Sequence, residues 1–314
     1  MTQDEFLKLC AEGSCDEIYD AIVSGIDPDE PGSIGNTPMV PMFAAASAGN
    51  KETVKALTEF GVDCADGFTG GVAGHNFDII RLLSKLGGDI NKFDANGYNA
   101  IITAVTTKQL DMFDFLVRLG ADVEVIDDEG RNLVMYAVMV SHEDDPHPEA
   151  KYNMDVSFLH TILAYGIDPN VPDKKGRTPL MLAAIDYELE EGVIDDLLSF
   201  GADINAQDNI GLTPLMMAVA SIDRMPNMML PALIRTGGMM AEDSDKWCAL
   251  IALYTVACHE IQVNTVRRLI KAGADVNITD ESGMNAMMYA LANGDDETID
   301  LLSNAGAKIT FDII

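Results

Sequence analysis

Apolar residues recur along this chain at helical spacing, and a glycine closes each run. The closing glycines are Gly25, Gly61, Gly87, Gly120, Gly166, Gly201, Gly237, Gly273 and Gly306. Seven residues before them stand Ile18, Val54, Ile80, Phe113, Leu159, Ile194, Leu230, Val266 and Ile299; four before stand Ala21, Leu57, Leu83, Leu116, Ile162, Leu197, Leu233, Leu269 and Leu302. Apolar positions at these two offsets predict a helix with one buried stripe, ended by a left-handed cap.

The polar positions keep the same register. Two residues after a closing glycine lie Asp27, Asp63, Asp89, Asp122, Asp168, Asp203 and Asp275; seven after lie Asp94, Asp127, Asp173, Asp208 and Asp280. Ten after lie Gly35, Gly97, Gly130, Gly176, Gly211 and Gly283. An aspartate bonds its own following amides and a glycine supplies positive φ, so these offsets predict turns between helices. Thr37-Pro38, Thr178-Pro179 and Thr213-Pro214 then predict helix starts, with threonine as the cap and proline in the first helical position.

The stretches from Gly201 to Leu215 and from Gly273 to Asn277 resemble the ankyrin repeat, and the resemblance covers nearly the whole chain. It implies an all-α solenoid of about nine helix-turn-helix repeats joined by short β-hairpin loops, buried by stacking rather than within one repeat. On this reading residues 1–314 are a single solenoid, with capping repeats at 1–34 and 284–314. The apolar tail Lys308–Ile314 folds over the last helices or stands exposed. In the family the helix opens Thr-Pro-Leu-His. Here the histidine slot holds Ile102, Met135, Met181, Met216 and Met288, which fill volume without donating.

Three places break the period. Between Gly61 and Gly87 the gap is 26 residues, which predicts a degenerate short repeat at 62–88, with its hairpin missing and its first helix truncated. Gly67, Gly70, Gly71 and Gly74 lower helix propensity there, so the sequence marks it as the weak point of the array. Between Gly120 and Gly166 the gap is 46, and a polar inserted loop falls at 141–155. Near Gly237 the turn aspartates are replaced by Met239 and Ser244, and Trp247 stands where other repeats have glycine; an irregular hairpin covered by the indole follows.

Charge then narrows the function. With 20 basic and 51 acidic residues the net charge is −31, which argues against binding nucleic acid phosphates or anionic lipid. An apolar content of 48% argues against disorder. No window has the ~18 apolar residues of a membrane helix, and the first seventeen residues are acidic and polar, unlike a secretory leader. Five cysteines without close pairs read as free thiols, so a cytoplasmic location is expected.

Candidate chemistry is sparse. No serine stands in a nucleophile elbow, and the glycines from 67 to 74 lack the strand and lysine of a phosphate loop. His142, Glu143, Asp144, Asp145, His147 and Glu149 are metal-ligand types, but they share one solvated loop without a rigid frame. The expectation is a protein with no enzymatic activity, no cofactor and no metal. An enzyme or metal protein built on the 142–149 loop is the outlying alternative.

Function then falls to the surface. The resemblance implies a protein partner bound on hairpin tips and the concave face. Its contact slots give Tyr98, Arg131, Arg177, Leu212 and Met284 at eleven residues past the closing glycine, and Lys174 and Lys175 at eight and nine past Gly166, on the tip that carries Arg177. Tyrosine and arginine are the side chains most enriched in binding hot spots. Local charge balance is the plainer reading of the basic group Arg131, Lys174, Lys175 and Arg177. The expected protein is a monomeric interaction scaffold whose partner presents a basic surface. The alternative is a regulatory or effector module that inhibits a partner enzyme.

Overall fold

The structure is a computed structural model describing residues 1–34, 37–139, 156–186, 192–221 and 259–309. The chain divides into two compact units, Met1–Asp128 and Glu129–Ile314.

The first unit begins with α1 (Gln3–Glu12) and α2 (Cys15–Val23). Capping boxes start both: Thr2 Oγ1 accepts from Glu5 N–H while the Glu5 carboxylate takes Thr2 N–H, and Ser14 and Glu17 repeat the exchange. A hairpin of β1 (Gly32–Ile34) and β2 (Thr37–Met39) follows, pairing Ser33 with Pro38. Then come α3 (Pro41–Ser47), α4 (Lys51–Glu59), α5 (Ala65–Ala73), α6 (Phe77–Lys85), α7 (Ala100–Thr106) and α8 (Leu110–Arg118). Helices α1, α3, α5 and α7 pack in an inner row, and α2, α4 and α6 in an outer one.

The second unit repeats this plan. Helices α9 (Leu133–Val138), α11 (Pro179–Ile185), α13 (Pro214–Ser221) and α15 (Ala286–Asn293) form its inner row. Outside lie α10 (Val156–Ala164) and α12 (Val193–Ser199); helical residues 259–271 (α14) and α16 (Asp296–Asn304) complete the described helices. The stripe read from the sequence is the core: every described position seven or four residues before a closing glycine is buried, except the half-buried Ile299. All eight described closing glycines have φ between +85° and +102°, the left-handed cap the spacing predicts.

Three expectations need correction. Thr37-Pro38 does not open a helix: it lies in β2, and the helix starts at Pro41, behind Val40. In a two-stranded hairpin a proline costs no ladder bond if its nitrogen faces outward, and Pro41 offers a second fixed φ at the first helical position.

The second correction concerns α5. The hairpin is indeed absent, for Asp63 accepts from Ala65 N–H at 3.0 Å and the helix begins there. But α5 is a full nine-residue helix, nearly all of it buried. Gly70 and the C-cap Gly74 are close-approach positions. A Cβ at Gly70 would stand 2.6 Å from Phe43 O, and one at Gly74 would stand 2.1 Å from Ser47 O. Glycine lets the backbones of α3 and α5 meet where any side chain would hold them apart, a packing demand that helix propensity alone does not register.

The third concerns Gly237. The hairpins after Gly201 and Gly273 bond each other directly: Asp275 N–H to Asn205 Oδ1 at 2.9 Å, Glu281 N–H to Ile210 O at 3.0 Å, and Gln207 Nε2 to Thr279 O at 3.1 Å. Helix α13 packs on α15, and Asn293 Nδ2 reaches Val219 O at 2.9 Å. The hairpin that glycine counting assigns to Gly237 has no place between these two, and the count of nine repeats is not supported. Gly237 and Trp247 lie outside the described residues, as do the 141–155 loop with its histidines and the last five residues of the tail.

Candidate partner-binding surface

The turn aspartates build the hairpins. At the second position past each closing glycine, one carboxylate oxygen accepts the amide two residues on, at 2.8–3.0 Å, in all seven repeats that have the residue. At the seventh position Asp94, Asp173, Asp208 and Asp280 each accept two amides, those two and four residues on. Their own N–H groups return to the carbonyls of Tyr98, Arg177, Leu212 and Met284. Residues at the eleventh position therefore close each hairpin through their main chain, which leaves only their side chains for other work.

In the second unit the tips join into one row. Lys174 N–H donates to Glu129 O at 2.8 Å, Asn209 N–H to Lys175 O at 3.0 Å, and Glu281 N–H to Ile210 O at 3.0 Å. Each bond runs from one tip to the next, as in a β-ladder. The tip glycines are needed twice over. Gly130, Gly176 and Gly211 have φ of +84°, +78° and +84°. Their absent Cβ atoms would also meet the following tip at 3.1, 2.5 and 2.9 Å. Lysine main chains thus sit in a rigid lattice while their side chains extend into solvent.

The candidate residues fare differently. Lys174 and Lys175 are exposed, and Lys174 reaches Glu129 at 3.6 Å, an exposed pair worth little. Arg177 is half-buried and committed: Nε and Nη2 both grip Asp173 Oδ2, at 2.8 and 2.6 Å, with that carboxylate 3% exposed. An aspartate so buried needs a charged partner, so this arginine holds its own hairpin. The Arg131 guanidinium lies 4.9 Å from the Tyr136 ring centroid, a cation–π contact. Leu212 and Met284 are half-buried in the same row. Tyr98 is half-buried on a hairpin of the first unit. Of the methionine slots, Met135, Met181 and Met216 are buried as packing residues, and the Met181 sulfur also accepts Thr178 N–H at 3.4 Å.

Two amide ladders escaped the sequence reading. Four residues past the closing glycine, Asn91, Asn170 and Asn277 each donate to the next closing glycine's carbonyl and accept the amide two residues beyond it; Asn205 accepts in the same way. Eleven residues before the glycine, Asn50, Asn76 and Gln109 donate to carbonyls ending the preceding inner helix. Their fixed offsets were the available signal; side-chain amides carry both donor and acceptor, which bridging needs.

In the first unit the missing hairpin leaves Asp66, in the first turn of α5, half-buried near other carboxylates. Burial, with like charge from Asp94, Asp63 and Asp29, pushes its carboxyl up to about 6. Lys92 pairs with Asp63, which holds that carboxyl below its usual range. Among the described residues no group of three or more His, Cys, Asp or Glu side chains is placed to hold a metal, and no helix is long and apolar enough to cross a membrane.

Residues 71–145, 149–229 and 225–312 match the family model described as Ankyrin repeats (3 copies). The chain belongs to the ankyrin repeat family. Ankyrin repeats are in general protein–protein interaction modules, and their turn aspartates and closing glycines here do the backbone work just described. No curated protein matches the chain.

Proposed function

We propose that this ankyrin repeat protein is a non-catalytic scaffold that binds a protein partner on its hairpin tips and the inner helices beside them. The observation that carries this reading is the bonded row of tips. It holds Lys174 and Lys175 exposed on a fixed main chain, and a pre-organised surface binds without the cost of ordering loops. Arg131, Leu212 and Met284 are the flanking contact candidates in the second unit, and Tyr98 is a separate candidate on a hairpin of the first. Arg177 contributes by fixing its hairpin, with its outer edge available. Lys174 and Lys175 fit an acidic segment of that partner, while a net charge of −31 over the whole chain favours a partner whose wider surface is basic and which associates faster at low salt. Cytoplasmic location and a monomeric state belong to the same reading.

The test starts with a partner isolated on the immobilised protein. Its affinity is then measured for the parent and for Lys174→Glu with Lys175→Glu. A loss of roughly 2 kcal/mol or more, with thermal stability unchanged, supports the tips as the binding site. Unchanged affinity removes them from it.

A further inference from the structure

The ends of the outer helices in the first unit carry a row of large apolar side chains that the core does not use. Phe60, Leu86 and Leu119 are the C-cap residues of α4, α6 and α8, each one residue before a closing glycine. They are 38%, 44% and 39% exposed. The buried stripe already ends three residues earlier; one side of the Phe60 ring meets Tyr19, with centroids 5.0 Å apart, but nothing within the helices requires an apolar residue at the cap, and solvent would favour a polar one.

Bonds between the neighbouring turns hold the three in register. Lys92 pairs with Asp63, and Asn91 bonds both Gly120 O and Asp122 N–H. Three residues beyond each apolar cap stands an exposed carboxylate: Asp63, Asp89 and Asp122. One oxygen of each is held by its turn amide, so the carboxylates are fixed rather than swinging. An apolar row and an acidic row therefore run side by side with the same pitch.

That pitch selects the occupant. Helices stack about 10 Å apart, and seven residues of an α-helix rise about 10.5 Å. A helix lying along the row brings one side chain to each apolar cap if its large residues recur every seventh position. We propose that this double row docks a basic amphipathic helix of a partner protein, with leucine-like residues against Phe60, Leu86 and Leu119 and Lys or Arg over Asp89 and Asp122, Asp63 being already paired with Lys92. The proposal rests on the protein-binding reading above but uses a different surface. A second copy of this acidic chain is disfavoured by like charge.

The probe is a labelled synthetic helix of about 18 residues, long enough to span three caps, with leucine at heptad spacing and lysine flanking it. Its control has the same composition in scrambled order. Fluorescence anisotropy at about 0.15 M salt, where exposed charges are screened, is expected to show binding roughly tenfold tighter for the patterned peptide, and a similar loss in Phe60→Ser/Leu86→Ser/Leu119→Ser. Leu86→Ser alone serves if the triple variant does not fold, with a loss of roughly threefold expected. Asp89→Asn with Asp122→Asn keeps the turns and is expected to weaken binding and reduce its salt dependence. Lys174→Glu with Lys175→Glu is expected to leave the peptide affinity unchanged, which separates this surface from the hairpin tips. Equal binding of the scrambled peptide, or parent-like binding by the serine variants, overturns the proposal.

Discussion

Alanine at Gly70 and alanine at Gly67 are opposite experiments in one helix. Both sit inside α5, and both substitutions gain about 1 kcal/mol of helix propensity. They differ in what the new methyl meets. At Gly70 it lands 2.6 Å from Phe43 O and 2.9 Å from Phe43 Cα, which are backbone atoms of α3. Helix α3 lies between α1 and α5, so it cannot retreat without disturbing the next contact. Overpacking of this kind costs roughly 1–3 kcal/mol or more, and against backbone atoms that cannot yield the upper end applies, so the net expectation is a loss of about 2 kcal/mol once the propensity gain is subtracted. At Gly67 the methyl meets Leu83 Cδ1 at 3.0 Å and Met42 Cγ and Sδ at 3.1 and 3.2 Å, the flexible ends of two side chains. Methionine repacks easily, so Gly67→Ala is expected to be neutral or slightly stabilising. Urea unfolding followed by far-UV circular dichroism, at constant slope, reads the difference, which is expected to be about 2 kcal/mol between the variants. If both alanines stabilise equally by about 1 kcal/mol, α3 and α5 are not in backbone contact and these glycines are only weak helix formers.

Three further outcomes follow from the same geometry. Asp66 is raised to about 6 in the folded protein, above its ordinary value, so the fold favours its neutral form. That contribution is complete below about pH 4 and is lost as pH rises through about 6. Asp66→Asn is therefore expected to stabilise by roughly 1–2 kcal/mol at pH 7.5, discounted for partial exposure, with the gain vanishing near pH 4. A gain independent of pH contradicts the assignment. Asn170→Ala removes bonds to Gly201 O and from Asp203 N–H, at 2.9 and 2.7 Å, and is expected to cost about 1–3 kcal/mol in a urea melt; a neutral result means the ladder is decorative. Spin labels at Ile210 and Glu281 are expected to report adjacent tips, whereas a separation larger by about 10 Å means that a further repeat stands between them.

The repeat was legible because its signals are backbone requirements. Closing glycines need positive φ, turn aspartates need a neighbouring amide, and the stripe needs a core, so each leaves a fixed residue type at a fixed offset. The errors came where one residue type serves two demands. Glycine in α5 reads as a poor helix former until the helix it touches is known, because close approach is a tertiary property. Proline at 38 and at 41 both satisfy a fixed φ, and only strand pairing decides which begins the helix. Gly237 satisfies the helical spacing in the sequence, but one offset does not test the bonds between hairpins, and those run directly from the hairpin after Gly201 to the one after Gly273. At the surface the sequence named Arg177 from its slot with local charge balance as the plainer reading, and Asp173, four residues earlier, claims two of its three guanidinium nitrogens. The amide ladders at Asn91, Asn170 and Asn277 were in plain view. Asparagine suits turns generally, so the residue type alone does not reveal that its second partner lies in another repeat.

The central claim is that the hairpin row is where this protein meets its partner. Hydrogen exchange of the protein with and without the isolated partner tests it directly. The account predicts added protection at 128–131, 173–177, 208–212 and 280–284, with the buried helices α11 and α13 unchanged. Protection absent from those four segments and concentrated elsewhere on the described surface contradicts it.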